Sequence, residues 1–315
     1  MSDAVADLQA VVESFFASTF STDNALITEA VKRMLAAGGK RLRPRMTLLA
    51  VDAAGGSALD HLHLAAYMEL IHVATLIHDD VVDNARTRRG VNATAVDYGN
   101  RVSVLAGDYL FAWIFKNVTA NYPHPVPHVL SATLADICDG EVLQLQALGD
   151  LDLSVGGYVQ IARKKTASLF AASAECGAIM GGARPREIEG LRDFGEAFGI
   201  AFQMKDDLLD IVSDERSLGK PVGNDLTERK VTIPLIAALA SGDGNFRAEV
   251  RRFYKGSANQ EIPLVIAGIE REGGLAATRR EIARFVDRAK SALEPISACA
   301  AKQELAKLAD ALLEN

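Results

Sequence analysis

The sequence predicts an all-α protein, and three observations carry this prediction. Apolar residues recur at intervals of three and four along nearly the whole chain, which is the period of one helix face. The sequence contains no convincing run of alternating apolar and polar residues bounded by hairpin turns. Hydrophobic residues make up 49% of the 315 residues and charged residues 24%, an ordinary globular composition that excludes a disordered or collagen-like chain.

Most of the predicted helices end at a glycine, a proline or a polar turn. The second helix stops at Gly38-Gly39, which suits a helix C-terminus, and the helix predicted over 58–83 has no internal glycine or proline. None of the breaks is a long serine- or glycine-rich linker, and the sequence shows no strict repeat period. One domain over residues 1–315 is therefore predicted. The predicted helices are 3–20, 24–37, 58–83, 92–119, 127–148, 157–182, 185–212, 234–241, 246–255, 263–271, 274–293 and 297–313.

Charge and composition also exclude classes of function. The net charge of −7 argues against broad nucleic-acid binding through a cationic surface. The longest uncharged run, 117–135, contains three prolines, so no transmembrane segment is predicted, and the N-terminus lacks a signal-peptide layout. Cys138, Cys176 and Cys299 are odd in number and far apart, which indicates buried apolar residues rather than a disulfide framework. We expect a reduced, cytoplasmic protein.

Two sets of aspartates follow strongly apolar helical stretches. Asp79 and Asp83 are four residues apart and share a helix face, and Asp206 and Asp210 repeat that spacing. One such motif alone could equally be an acidic, solvent-exposed helix end. Two carboxylates about 6 Å apart repel by about 3 kcal/mol at an effective dielectric of about 20, so two such sets indicate a bound cation. Mg²⁺, which takes oxygen ligands and is usually shared with substrate phosphates, is the predicted ion.

Basic residues in short turns indicate a phosphate ligand. Lys40, Arg41 and Arg43 follow two glycines that allow close backbone approach, and His72 lies two helical turns before Asp79 on the same face. A P-loop is excluded because GxxxxGK[ST] is missing. The pattern indicates one diphosphate substrate or two. Further basic residues of this kind are Arg88, Arg89, Lys165, Lys220 and Lys230.

The motifs, taken in order, resemble those of the trans (E-type) isoprenyl diphosphate synthases, and of octaprenyl-type long-chain enzymes in particular. The resemblance runs from about residue 24 to about residue 290. It implies the isoprenoid synthase fold, a bundle of ten or more helices around a central apolar cavity, working as a homodimer. The matching segments are GGKRLRP at 38–44, ELIHVATLIHDDVVDNARTRRG at 69–90, GDYLF at 107–111, DGEVLQ at 139–144, KTASLF at 165–170, FQMKDDLLD at 202–210 and GKPVGNDLTERKVTIP at 219–234.

The resemblance implies roles for individual residues. About three Mg²⁺ ions per active site are expected to hold the allylic diphosphate, with Asp79, Asp83, Asp206 and Asp210 as ligands. Lys165 and Thr166 also match positions that help to steady the allylic cation, so they join Asp79 and Asp83 as catalytic candidates. The positions matching contacts to the allylic diphosphate are Arg88, Lys165, Thr166, Gln203, Lys220 and Lys230. Those matching the isopentenyl diphosphate pocket are Lys40, Arg43, His72 and Arg89.

The implied reaction is a head-to-tail condensation by ionisation, condensation and elimination. Neutralising the leaving diphosphate allows the allylic C–O bond to ionise. The double bond of isopentenyl diphosphate then attacks the cation, and the departing diphosphate takes the proton. The apolar cavity keeps water from the cation. Transient membrane contact is expected only for release of a long product.

Two small residues before the first aspartate set bear on product length. Short-chain members of the family often carry an aromatic residue there, whereas this chain has Ala74 and Thr75. Helix geometry puts Thr75 under Asp79 and Ala74 to its side. The growing chain is expected to descend along this helix in a tunnel, which neither small residue closes. A product of about thirty to fifty carbons, as in quinone tails, is therefore expected. The floor then lies deeper, with Leu110, Trp113 and Ile114 as candidates.

Three alternatives remain. A short-chain farnesyl or geranylgeranyl diphosphate synthase is the main one. A non-catalytic subunit of a heteromeric synthase is disfavoured because every expected aspartate and basic residue is present. A terpene cyclase is disfavoured because it needs no second diphosphate pocket. Two departures from the family pattern are a C-terminal stretch without a basic tail and Lys205, whose charge stands beside Asp206.

Overall fold

A computed structural model describes residues 8–88, 90–213, 222–241, 244–256 and 261–314, and it confirms the all-α prediction. The strands are a single antiparallel ladder of two-residue segments, in which Thr87 pairs with Asn92 and Arg88 with Val91. The elements are α1 (Leu8–Thr19), α2 (Ala25–Ala36), α3 (Leu42–Ala53), a 3₁₀ turn (Ala58–His61), α4 (Leu62–Val82), β1 (Thr87–Arg88), β2 (Val91–Asn92), α5 (Thr94–Asn121), α6 (Pro125–Gln146), α7 (Val155–Ala162), a π turn (Arg163–Ala167), α8 (Ser168–Met180), α9 (Pro185–Val212), α10 (Asn224–Thr227), α11 (Ile233–Ser241), α12 (Gly244–Lys255), α13 (Ile262–Arg271), α14 (Gly274–Ala292) and α15 (Ala300–Asp310).

Helix α3 is the main element that the sequence prediction missed. The sequence predicts a break at 38–44, which overlaps the start of this helix, and no helix over 45–53. In the structure Pro44 lies in the first turn, where proline is tolerated, and the run 46–51 is buried on all sides. A helix that is buried all round loses the periodicity by which a half-exposed helix is recognised. Two predicted helices are also interrupted, 157–182 by the π turn and 92–119 by Gly99, whose φ is 79°.

The cysteine prediction is wrong at one position. Cys176 is buried and Cys299 half-buried, but Cys138 is exposed. Cys138 and Asp139 both lie on the solvent-facing side of α6, so the position of Cys138 on the helix, and not its apolar character, determines its exposure.

The fold consists of two compact units. The first comprises Met1–Ser131, Ala172–Arg192 and Pro295–Gln303, and the second comprises Ala132–Ala171, Asp193–Glu294 and Glu304–Asn315. In the first unit α4 is the central helix and packs against α1, α2, α3 and α5. In the second unit α11 packs on α13 and α14, and the rings of Phe170 and Phe198 meet edge to face at 5.2 Å.

A helix that crosses a bilayer has to be both long and apolar. None of the helices in the described ranges combines the length and apolar character needed to cross one.

Replacing Gly177 by alanine tests the close helix packing in the first unit. A Cβ there would lie 2.4 Å from the carbonyl oxygen of Thr47 in α3, so the helices would have to separate. We expect Gly177→Ala to lower the free energy of unfolding by about 1–3 kcal/mol, measured by urea denaturation. Gly244→Ala is the matched control because nothing lies within 4 Å of its Cβ position. Equal stability of the two variants would contradict this packing.

Candidate active site

The first aspartate set lies at the end of α4. This helix is apolar over most of its length, so its charged residues are confined to the last turn and the cap, apart from the buried Glu69. Asp83 caps the helix, and its N–H donates to the Asp79 carbonyl oxygen at 2.8 Å. The two half-buried residues therefore stand one turn apart. A helix C-terminus carries negative partial charge, so this end of α4 attracts cations.

Asp80 stands apart from its two neighbours because it is fully buried. Its Oδ1 accepts from Arg88 Nε at 2.7 Å and lies 2.5 Å from Arg88 Nη2. Its Oδ2 is buried and has no hydrogen-bond partner in the structure. Burial raises the pKa of Asp80, and the Arg88 guanidinium works in the opposite direction. Arg88, a predicted diphosphate contact, is thus held by Asp80 and remains 30% exposed.

The glycine-rich turn before α3 separates its three cations. Gly38 and Arg41 have φ values of +76° and +48°, so the turn is left-handed at both places. Lys40 is exposed, and Arg43 is half-buried, as is His72. The prediction that Arg41 faces a phosphate together with Lys40 and Arg43 is wrong, because Arg41 is buried and pairs with Glu69 of α4. Arg89 lies outside the described residues.

The second aspartate set lies near the end of α9. Asp206 is exposed. Asp210 is 1% exposed, and its Oδ2 accepts from the Asp225 N–H at 3.1 Å. The Gly223 N–H donates to the Asp210 carbonyl at 2.9 Å, so the turn before α10 is fixed to this end of α9. Lys205 points its ammonium at the carbonyls of Ala311 and Glu314, at 3.0 and 2.6 Å, which accounts for the charge beside Asp206.

A chain of hydrogen bonds links Asp207 to two predicted substrate contacts. Thr166 donates to Gln203 Oε1 at 2.7 Å, and Gln203 donates to Asp207 Oδ1 at 2.8 Å. The Tyr158 hydroxyl donates to Asp207 Oδ2 at 2.5 Å. Burial raises the pKa of Asp207 to about 7, against the pull of both donors. Tyr158 is not among the predicted site residues. Its position seven residues before Lys165, which is two helical turns, is the feature of the sequence that could have indicated it.

The π turn presents neighbouring lysines to different acids. Lys165 Nζ lies 2.5 Å from Glu141, whereas Lys164 Nζ lies 2.9 Å from Asp136 and 3.0 Å from Asp139. π turns occur often at functional sites. Gly140 of the DGEVLQ motif is required by the close approach of α6 to this turn, because a Cβ on it would lie 2.4 Å from the Lys165 backbone nitrogen.

The last predicted diphosphate contacts lie around α10. Lys230 Nζ is 2.5 Å from Glu228 Oε2, and its backbone N–H donates to the Asp225 carbonyl at 2.8 Å. Lys220 lies outside the described residues.

The predicted chain-length positions lie on α4 and α5. Ala74 is fully buried, and half-buried Thr75 donates to the His72 carbonyl at 2.8 Å. Leu110 and Ile114 are fully buried. The Trp113 ring lies 5.8 Å from that of Tyr67 and 5.3 Å from that of Phe20, which places it in an aromatic cluster of the first unit.

The donor chemistry fits Mg²⁺. Within the ranges that the structure describes, no three His, Cys, Asp or Glu side chains already form a metal-binding cluster. Mg²⁺ is usually held by one or two carboxylates plus substrate phosphates rather than by an all-protein cage. The predicted ligands Asp79, Asp83, Asp206 and Asp210 would supply oxygen atoms only, and the buried Asp80 Oδ2 adds negative charge beside the first set.

Comparison with known proteins decides the family. Residues 24–267 match the model of the polyprenyl synthetase family. The chain belongs to this family. It is a prenyl diphosphate synthase, and therefore a prenyltransferase of isoprenoid biosynthesis.

Relatives of the synthase differ in the product that they are named for. The octaprenyl diphosphate synthase of Escherichia coli is 36% identical over 93% of this chain and 91% of its own. A short chain isoprenyl diphosphate synthase of Methanothermobacter thermautotrophicus is 38% identical over 92% and 90%. The crystal structure of a decaprenyl diphosphate synthase from Rhodobacter capsulatus matches with a TM-score of 0.92 and 40% identity, over 99% of this chain and 97% of that one.

Tyr158→Phe tests the hydrogen-bond chain of the second unit. The change removes the hydroxyl that donates to buried Asp207, so we expect the synthase to lose about 1–3 kcal/mol of stability in urea denaturation. Tyr109→Phe is the control, since its hydroxyl donates to the Ser21 carbonyl at an exposed site. A loss at Tyr158 no larger than at Tyr109 would count against the described network.

Proposed function

We propose that the synthase condenses isopentenyl diphosphate with an allylic diphosphate, in the presence of Mg²⁺, to make long trans-polyprenyl chains for quinone side chains. The observation that carries the length is the small size of Ala74 and Thr75 below the first aspartates. The aromatic cluster around Tyr67 lies twelve residues before Asp79, about 18 Å along the helix, so its rings lie well below the site. A product of about thirty to fifty carbons follows from an open tunnel at these two positions.

The substrate contacts are proposed residue by residue. The allylic diphosphate is bound by Arg88, Lys165, Thr166, Gln203, Lys220 and Lys230, and isopentenyl diphosphate by Lys40, Arg43, His72 and Arg89. The link from Thr166 through Gln203 supports the first group, because the two side chains already restrain each other. The exposed Lys40 beside half-buried Arg43 supports the second group.

The proposed ligands of Mg²⁺ are Asp79, Asp83, Asp206 and Asp210, with about three ions per active site. When bound, Mg²⁺ supplies charge neutralisation of the leaving diphosphate, which favours ionisation of the allylic C–O bond.

The protein's own groups bind, orient and exclude water. Lysine and arginine side chains fix the two diphosphates so that the allylic carbon faces the double bond of isopentenyl diphosphate. The C–O bond breaks, the new C–C bond forms, and the departing diphosphate takes the released proton, so no side-chain base is required. We propose in addition that Lys165 and Thr166 help to steady the cation. Buried apolar residues such as Leu110 and Ile114 keep water away from it.

The assembly and setting of the synthase belong to the same proposal. We take residues 1–315 as one functional domain that works as a homodimer in the cytoplasm without nucleic acid, touching a membrane only to release product. Leu105 on α5 is 61% exposed, an exposure that a partner covering α5 would remove.

Product analysis tests the proposed activity. The purified protein is incubated with Mg²⁺, isopentenyl diphosphate and farnesyl diphosphate, and the chain lengths are separated after phosphatase treatment. We expect products of about thirty carbons or more, because Ala74 and Thr75 leave the tunnel open, and no product after Mg²⁺ is chelated. Products that stop at a short chain would favour the short-chain alternative, and no elongation would favour the non-catalytic subunit.

Ala74→Phe tests the path of the growing chain. A bulky ring beside the first aspartates should close the tunnel and shorten the product by several isoprene units. The control is Ala65→Phe, since Ala65 is buried on the opposite side of α4, nine residues earlier, and packs near Leu48. Both changes overpack the interior, but only Ala74→Phe should alter product length. An unchanged product would reject this placement of the tunnel.

A further inference from the structure

Arg41 combines two features that are each unfavourable. Its backbone is left-handed at φ 48° and ψ 39°, a conformation that non-glycine residues rarely adopt. Its guanidinium is buried, with 4% of the residue exposed, and forms an ion pair with Glu69, which is 2% exposed. Taking two charges out of water is costly, and a buried ion pair often adds less stability than apolar residues of similar size would. Stability alone therefore gives no account of this pair.

The contacts of Arg41 join three helices of the first unit. Its Nη1 pairs with Glu69 in the middle of α4, and its Nη2 donates to the Leu35 carbonyl, in the last turn of α2, at 2.9 Å. Its own carbonyl accepts from the Arg45 N–H at 3.1 Å, which starts α3. One side chain thus sets where the turn before α3 lies along α4.

The neighbours of the pair are the cations proposed for isopentenyl diphosphate. Lys40 precedes Arg41 in the turn, and Arg43 follows it by two residues, in the first turn of α3. His72 follows Glu69 by three residues, so the two share a face of α4. Any shift of the Arg41–Glu69 pair would move Lys40 and Arg43 relative to His72. Conformational strain of this kind is often found where a functional geometry has to be held.

We propose that Arg41 and Glu69 are positioning residues for isopentenyl diphosphate, which hold Lys40 and Arg43 in register with His72 without touching the substrate. This inference rests on the proposed function. It predicts different effects on the binding of the two substrates, because none of these residues is among those proposed for the allylic diphosphate.

The test compares the KM values of the two substrates in variants that remove the pair. In the double variant Arg41→Met with Glu69→Leu, apolar side chains replace both charges, a change that buried pairs often tolerate without loss of folding. We expect its KM for isopentenyl diphosphate to rise about tenfold or more, because Lys40 and Arg43 are no longer held in register with His72. The KM for the allylic substrate should change less than about twofold, because its proposed contacts do not depend on the pair. Glu69→Gln, which keeps the shape of the side chain, should shift the same KM in the same direction.

Asp97→Asn is the matched control. It breaks the ion pair of Asp97 with Arg33 of α2, at 2.6 Å, in the same unit but with both side chains partly exposed. Both KM values should stay near those of the unchanged protein. Circular dichroism and thermal melting establish folding for each variant.

The possible outcomes separate this inference from the proposed function. Equal increases of both KM values, or an unchanged KM for isopentenyl diphosphate in a folded double variant, would overturn the positioning role. Failure of both pair variants to fold would assign the pair to stability and would also overturn it. Absence of condensation in the unchanged protein would instead contradict the proposed function.

Discussion

The burial of α4 is the constraint on which the first unit depends. Its side chains from Leu64 to Ile77 are almost all inaccessible to solvent, and the buried Glu69 lies among them as a charged exception. A helix so enclosed has little room for charge except at its end, where Asp79, Asp80 and Asp83 gather at the negative pole of the helix dipole. The result is an electronegative helix terminus at the edge of an apolar interior, which attracts the cations that an anionic diphosphate would need in order to bind there.

Acidic and basic groups in both units are arranged so that one side chain holds another. Asp80 holds Arg88 in the first unit, and Glu141 holds Lys165 in the second. Such contacts reduce the freedom of long side chains before any ligand binds, which lowers the entropy lost on binding. Asp207 serves in the same way through Gln203 to Thr166, although its own carboxylate is enclosed. The three acidic groups that hold these side chains are thus different from the groups proposed to contact a substrate.

Local spacing made part of this architecture predictable. The one-turn separation of Asp79 and Asp83, the glycine-rich turn and most helices follow from periods that are visible in the sequence. The uniform burial of α3 removed the period by which it would have been recognised. Arg41 and Lys40 are adjacent and chemically alike, yet Arg41 is buried and Lys40 is exposed. The difference is that Arg41 pairs with Glu69, which is twenty-eight residues away in the sequence, so local spacing does not reveal it. The partners of Tyr158 and Lys165 are likewise distant in sequence, so no local rule identifies them.

The π turn at Arg163–Ala167 also sets the relation between α7 and α8. A π turn holds one residue more than an α-helical turn, and each residue of an α-helix advances the side-chain direction by about 100°. Tyr158 and Phe170 therefore have a different angular offset from the one that an uninterrupted helix would give them. Loss of Arg163 from this turn would leave the KTASLF motif at 165–170 intact while rotating all of α8, so the chain is far less tolerant of this deletion than of most substitutions.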